Sequence, residues 1–276
     1  YNCLESYAAS LQEALSRPYP AYEAIGVQTP GGDYNQLSTS LLQIENEFYS
    51  TIRAKRVIRS GERPLHALRE RGVEYIEVRL MDLDPFEPVG IGADAMRVLD
   101  AFLLHCLHSD SPPDTPEEIA ANARNQHHVA ARGREPGLML EHWQGGQRSL
   151  QDWAGEIVAG CARQAEALDA AHGGHAYRGA LERVAERLKR PELCPSARVL
   201  AVMAQDFDDS HIGFIRRQSD ATRATLLALP FPEALQLRFE KMAAQSLAEQ
   251  ARIEAADTLD FEAFRRFYVA PERMAV

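Results

Sequence analysis

The sequence predicts an α+β fold in which a small antiparallel sheet lies early in the chain and helices fill the rest. Three observations carry this. Apolar and polar residues alternate within 37–49 and again within 73–81, the period of a strand with one buried face. From about residue 92 onward, apolar residues recur at three- and four-residue spacing, the period of a helix. No internal repeat and no low-complexity linker divides the 276 residues. A single domain over 1–276 is therefore expected, with a mixed part at about 1–91 and a helical part at about 92–276.

Taken in order, Leu4, Tyr7, Ala8, Leu11 and Leu15 share one helical face, and Pro18 and Pro20 end that helix. Its pattern is already running at residue 1, as expected of a chain that starts inside a domain. Pro30-Gly31-Gly32-Asp33 is a turn signal. Leu42, Ile44 and Phe48 then alternate with Gln43, Glu45, Glu47 and Tyr49, which reads as a strand, although so short a run also suits a helix. Val73–Met81 is the cleaner strand, with Ile76, Val78 and Leu80 on one side and Tyr75, Glu77 and Arg79 on the other. Asp84-Pro85-Phe86-Glu87-Pro88 ends it.

Met96, Leu99, Phe102, Leu103, Cys106 and Leu107 form the stripe of the next helix. Thr115 caps the one after, with Pro116 at its first position and Glu118 completing a capping box. Ser149 and Asp152 open a longer helix that Gly173-Gly174 closes. Further helices are expected at about 176–189, 196–206, 211–228, 233–256 and 260–268, the last capped by Asp260.

Composition narrows the function. Hydrophobic residues make up 45% of the chain and charged residues 25%, an ordinary balance for a water-soluble globular protein. No apolar run is long enough for a membrane span, and residues 1–5 lack the basic and apolar regions of a signal peptide. The formal net charge of -10 disfavours nucleic acid, whose phosphates it would repel. The four cysteines are widely spaced and form no C-x-x-C, so a reducing cytoplasm is the natural compartment. No G-x-S-x-G, Walker A loop or G-x-G-x-x-G is present.

Three segments carry candidate chemistry. Glu77 and Arg79 lie side by side on one strand face, about 7 Å apart along it, with Tyr75 beside them. A carboxylate on a rigid strand can ligate Mg²⁺, which takes hard oxygen donors. A guanidinium matches the oxygens of a transferring phosphoryl group. A solvated face with a cross-strand ion pair is the plain alternative. Arg53, Lys55, Arg56 and Arg59, followed by Arg63, form a basic run. On an acidic protein such a cluster suits a small anion such as a nucleotide, and a solvated face is again the alternative. The alternating carboxylates of 43–49, ending in Tyr49, could line a polar cleft or face solvent. His105 and His108 flank Cys106, but Cys106 belongs to an apolar stripe, and the histidines read as structural.

These segments together resemble a family. Leu42-Gln43-Ile44-Glu45-Asn46-Glu47-Phe48-Tyr49, Ile52-Arg53-Ala54-Lys55-Arg56-Val57, Arg59-Ser60-Gly61-Glu62 and Glu74-Tyr75-Ile76-Glu77-Val78-Arg79 come one after another, with Asp82, Pro85 and Phe86 after them. In that order and spacing they resemble bacterial glutamate–cysteine ligase (γ-glutamylcysteine synthetase). Gly133-Arg134-Glu135-Pro136-Gly137-Leu138 and Glu254-Ala255-Ala256-Asp257-Thr258 fit as well. The likeness spans essentially the whole chain and matches the C-terminal half of the family, whose members are about twice as long.

The resemblance implies part of a glutamine-synthetase-like antiparallel sheet followed by a helical region. It implies ATP-dependent joining of the glutamate γ-carboxylate to the cysteine amine through an acyl-phosphate, the first step of glutathione synthesis. ATP would be a co-substrate and Mg²⁺ (or Mn²⁺) the metal. Carried over by position, Glu77 is expected as a metal ligand and Arg79 as the residue holding the transferred phosphoryl group. Tyr49 is expected in the cysteine pocket, and Arg53, Lys55 and Arg56 near nucleotide phosphates.

Three positions depart from the pattern: Leu80 stands for an expected Ser, Asp84 for Asn, and Ala54 for Pro in the basic loop. With the family's N-terminal half missing, the chain alone is expected to be inactive. The alternatives are a non-catalytic remnant or binding module that keeps the fold, and a related carboxylate–amine ligase with another acceptor.

Overall fold

Leu4, Tyr7, Ala8, Leu11 and Leu15 do build a helix, α1 (Leu4–Ser16). In the computed structural model, which describes residues 2–59, 61–270 and 273, all but Leu4 of these are buried. Cys3 caps α1: its sulfur accepts from the Ser6 N–H, and the Ser6 hydroxyl oxygen accepts from the Cys3 N–H in return. A short helix, α2 (Pro20–Ile25), comes next, started by Pro20 and stopped at Gly26.

Strand β1 (Ile52–Lys55) precedes helix α3 (Pro64–Arg71), and strand β2 (Tyr75–Val78) returns antiparallel to β1. The register sets Ile52 opposite Val78, Arg53 opposite Glu77, Ala54 opposite Ile76 and Lys55 opposite Tyr75. Leu65 and Leu68 of α3 pack with α1 into one core, and Leu42, Phe48 and Ala54 close its margin.

Two expectations change here. The segment 42–49 is not a strand: it is irregular, with a 3-10 turn at Glu45–Glu47. Side chains meet its backbone locally. Glu47 Oε2 accepts from the Gln43 N–H, and Gln43 Oε1 accepts from the Leu37 N–H. Such side-chain bonds compete with a ladder. Glu45, assigned by alternation to the polar side, is 2% exposed. Helix α3 was also unforeseen, although Pro64 at its first turn and Gly72 after it (φ 72°) are standard boundaries.

A second compact unit spans Asp82–Pro230. It contains α4 (Ala93–His108), α5 (Pro116–Arg132), the strands β3 (Met139–Glu141) and β4 (Gln147–Ser149), then α6 (Leu150–Gly160), α7 (Ala162–His172), α8 (Ala176–Lys189), α9 (Pro195–Asp206) and α10 (His211–Leu227). The expected caps form: Thr115 and Ser149 accept from the N–H groups of Glu118 and Asp152. The long helix expected from Ser149 to Gly173 is broken at Cys161 into α6 and α7. At that break Gly160 lies against α4, where an added Cβ would come within 2.7 Å of the His105 ring.

Antiparallel β3 and β4 correct the reading of everything past residue 92 as helical. Gly145 (φ 91°) and Gly146 (φ 80°) adopt the left-handed turn that joins them. The core of this unit gathers Ala101, Cys161, Ala165 and Leu181.

The chain then returns to the first unit through α11 (Glu233–Ala256) and α12 (Phe261–Tyr268). Asp260 caps α12 as expected, accepting from the Ala263 N–H at 2.7 Å. Arg265 ties α12 down by donating to the Leu37 carbonyl at 2.8 Å, and Tyr34 donates to Glu262 at 2.6 Å. The architecture is α+β, with a two-stranded antiparallel sheet early in the chain and helices dominating the remainder.

Candidate active site

The β1–β2 register brings together residues that sequence alone leaves apart. Lys55 Nζ lies 3.1 Å from Glu77 Oε2, and Arg79 Nη2 lies 3.0 Å from the same oxygen. Both cations thus pair with a single carboxylate oxygen. The Arg79 guanidinium first, and the Lys55 ammonium second, hold the Glu77 carboxyl below the usual carboxylate range. Arg79 also lies over the Tyr49 ring, 4.9 Å from its centroid, a cation–π distance. Tyr49 is otherwise 77% exposed. Expected site residues Tyr49, Glu77 and Arg79 therefore form one surface cluster joined through Arg79, with Lys55 paired to its Glu77.

The basic run divides. Arg53 turns inward: it is buried, donates to the Glu45 carbonyl at 3.3 Å, and lies 5.9 Å from the Phe48 ring. Lys55 faces Glu77, and Arg56 Nε lies 3.6 Å from Glu74 Oε2. All three line a cleft of about 320 Å³ whose other walls include Glu45, Asn46 and Tyr75. The Arg53 Nε–H is buried without a hydrogen-bond acceptor among the described residues. Glu77, Arg79 and Tyr49 lie outside the cleft wall, with Lys55 shared between cleft and cluster.

Two supports were not foreseen. Glu45 Oε1 accepts from Arg63 Nε at 2.8 Å, and the two side chains are only 2% and 4% exposed. Arg63 also donates to the Tyr268 carbonyl at 2.7 Å and lies over the Tyr268 ring. This pair anchors the Glu45 turn, and with it the carbonyl that Arg53 uses. The only sequence signal was a lone Glu on the polar side of a run flanking the buried Leu42–Phe48 margin.

The second support is Arg71, which donates to both oxygens of Glu62 at 2.5 and 2.8 Å and to the Val57 carbonyl at 3.1 Å. It closes the loop after β1. Ser60 of that loop motif lies outside the described residues. Contact with Arg71, and then the Arg59 N–H, hold the Glu62 carboxyl down at about 2. A depressed folded value means the interaction is complete above the ordinary carboxylate value of 4.5 and fades as pH falls towards 2. The expected titration of Glu62, followed by its carboxyl carbon resonance, has a midpoint near 2 in the native chain. In Arg71→Ala the midpoint should rise well towards 4.5; an unchanged midpoint would remove Arg71 as its cause.

The described residues provide no group of three His, Cys, Asp or Glu side chains arranged to hold a metal. Glu77 is an ionised, hard oxygen donor of the type Mg²⁺ takes. It is one donor, already shared by two cations, and by itself it does not make a metal site.

Known proteins share this arrangement of segments. The family model described as glutamate–cysteine ligase matches residues 1–129, which contain the whole β1–β2 cluster. The glutamate–cysteine ligase of Azotobacter vinelandii is 47% identical over 270 residues, covering 98% of this chain and 50% of the relative. That of Pseudomonas aeruginosa is 45% identical over the same length and coverage.

The chain is a homologue of the glutamate–cysteine ligases. It spans about half the length of the curated relatives it matches. A crystal structure of the Francisella tularensis glutamate–cysteine ligase, in complex with AMP, superposes on all of this chain and 54% of its own with a TM-score of 0.90 at 30% identity. The ligase likeness inferred from the segments at 42–86 therefore holds over the whole chain, as does its partial coverage of the family.

Proposed function

We propose that this chain forms one wall of the active site of an ATP-dependent ligase that joins the γ-carboxylate of glutamate to the amine of cysteine, the first step of glutathione synthesis. The observation that carries the proposal is the β1–β2 ladder, which fixes Lys55 and Arg79 around Glu77 beside a basic cleft. The relatives' ligase activity supports the reaction, and AMP in the Francisella structure supports a nucleotide substrate.

In this reaction a carboxylate oxygen of glutamate attacks the γ-phosphorus of ATP and ADP leaves, forming an acyl-phosphate. The cysteine amine then attacks the acyl carbon, loses a proton, and expels phosphate with the bonding electrons. Such chemistry asks the protein for positioning and charge neutralisation. Arg79 is assigned to the transferring phosphoryl group, since a guanidinium can grip two of its oxygens at once. Its guanidinium lies over the exposed Tyr49 ring.

Tyr49, exposed beside it, is assigned to the cysteine pocket. Lys55 and Arg56 are assigned to the nucleotide phosphates, and Arg53, which lines the same cleft, is placed near them. Glu77 is assigned as one oxygen ligand of a Mg²⁺ or Mn²⁺ site whose remaining ligands lie elsewhere. No helix among the described residues is long and apolar enough to cross a membrane, and the free cysteines suit a reducing cytoplasm.

The test is ADP release dependent on both glutamate and cysteine. The purified chain alone should give none. A complex of this chain with the half of the Azotobacter ligase that it does not match should restore it. Turnover by the chain alone would contradict a shared site, and a stable complex without turnover would overturn the function.

A further inference from the structure

Glu45 is a buried acid in a short turn, and it works through both its side chain and its main chain. The carboxylate accepts from Arg63 Nε at 2.8 Å. The carbonyl accepts from the Phe48 N–H at 3.2 Å and from Arg53 Nη2 at 3.3 Å. One residue therefore ties the turn to α3 on one side and to β1 on the other. Burying an ion pair is a poor route to stability, because apolar residues of the same size would avoid the desolvation. What the pair does supply is a fixed place for the turn.

The turn leads directly to the surface cluster. Phe48, whose N–H the Glu45 carbonyl holds, is half-buried at the core margin. Its ring meets Tyr7 edge-on at 6.1 Å, and the Arg53 guanidinium lies 5.9 Å from it. Tyr49 is the next residue, and its ring lies largely exposed under the Arg79 guanidinium. An exposed ring has little packing of its own to hold it. Its position is inherited from the backbone it stands on, and that backbone is pinned at Phe48 and Glu45.

We propose that Glu45 is a positioning residue for the ligation: through Phe48 it sets the Tyr49 ring against Arg79, and with it the pocket that receives the cysteine substrate. This rests on the assignment of Tyr49 to that pocket; Glu45 itself is buried and touches no substrate. Glu45→Gln keeps the size of the side chain and one acceptor, but leaves the Arg63 guanidinium without its counter-charge. The turn then loosens, and Tyr49 must be ordered when cysteine binds. Ordering one residue weakens binding by roughly tenfold. Arg79 and Lys55 keep their places, because the β1–β2 ladder holds their backbone.

Two measurements test this. In the purified chain, the Tyr49 ring should displace the Arg79 side-chain proton resonances upfield, a displacement that Tyr49→Ala abolishes. Glu45→Gln should lose most of it while the backbone resonances of the ladder stay in place. Phe48→Leu, which keeps an apolar side chain at the core margin, should lose it as well. Displacement retained in either folded variant would overturn the proposal. In the ligase assembled with the unmatched half of the Azotobacter enzyme, Glu45→Gln should raise the KM for cysteine about tenfold, with kcat and the KM for ATP within about threefold of the parent. A fall in kcat with the cysteine KM unchanged would mark Glu45 as purely structural and overturn it. The cysteine KM of Tyr49→Ala reads the pocket assignment separately, and a parental value there would overturn that assignment whatever the Arg79 resonances show.

Discussion

Arg63→Ala should cost about 3–5 kcal/mol of stability in the first unit, the scale for removing one member of a buried ion pair. The magnitude comes from the group left behind. Glu45 is 2% exposed and takes its hydrogen bond from Arg63 at 2.8 Å. Without that guanidinium its carboxylate sits uncompensated in a low-dielectric setting, or must take up a proton. The Tyr268 carbonyl loses its 2.7 Å donor at the same time.

Tyr268 records the same environment, its hydroxyl pKa being raised by burial first and by the Glu45 charge second. A pair at the surface behaves differently. Lys55 and Glu77, about a quarter to a third exposed, should contribute no more than about 1 kcal/mol. Denaturant unfolding followed by hydrogen exchange on α12 separates the two. Exchange in α12 should quicken sharply in Arg63→Ala and stay near normal in Lys55→Ala. A loss below about 1 kcal/mol in Arg63→Ala would show that Glu45 finds another partner.

Arg79→Ala, in a ligase assembled from this chain and the unmatched half, should lower kcat by about 10²–10³, the scale for one electrostatic donor aimed at developing charge. The side chain does little for the fold. It is partly exposed, pairs with a carboxylate that Lys55 also holds, and covers a ring that is itself at the surface. Its loss should therefore leave stability nearly intact and fall on the rate. Arg79→Lys keeps the charge and loses the fork, so it should recover only part of the rate. A matching fall in stability and rate would instead mark Arg79 as a structural residue.

Much of the fold was legible because its signals are local. The capping residues Thr115, Ser149 and Asp260 and the stop at Gly173 act on their own helix ends, and those boundaries fall within a residue or two of expectation. The failures involve distant partners or short elements. The 42–49 run looked like a strand because its alternation was read without Arg63, which lies 18 residues on and draws Glu45 inward. The β3–β4 ladder has three residues per strand, too few for a period to register, so only Gly145-Gly146 marked it.

In the site, Glu77 beside Arg79 could be read from strand alternation alone. The place of Lys55 against Glu77 needed the register of a partner strand, and the inward turn of Arg53 needed the carbonyl of a turn that sequence had misread.

A single-turnover measurement tests most directly whether the Lys55–Glu77–Arg79 cluster meets the transferring phosphoryl group. The assembled ligase, in excess over radiolabelled ATP and saturated with glutamate, is quenched at intervals and the first release of ADP is timed. In Arg79→Ala this first turnover should slow by about 10²–10³ while ATP affinity stays within a few fold of the parent. A first turnover at the parent rate would place Arg79 outside the chemical step and contradict the account.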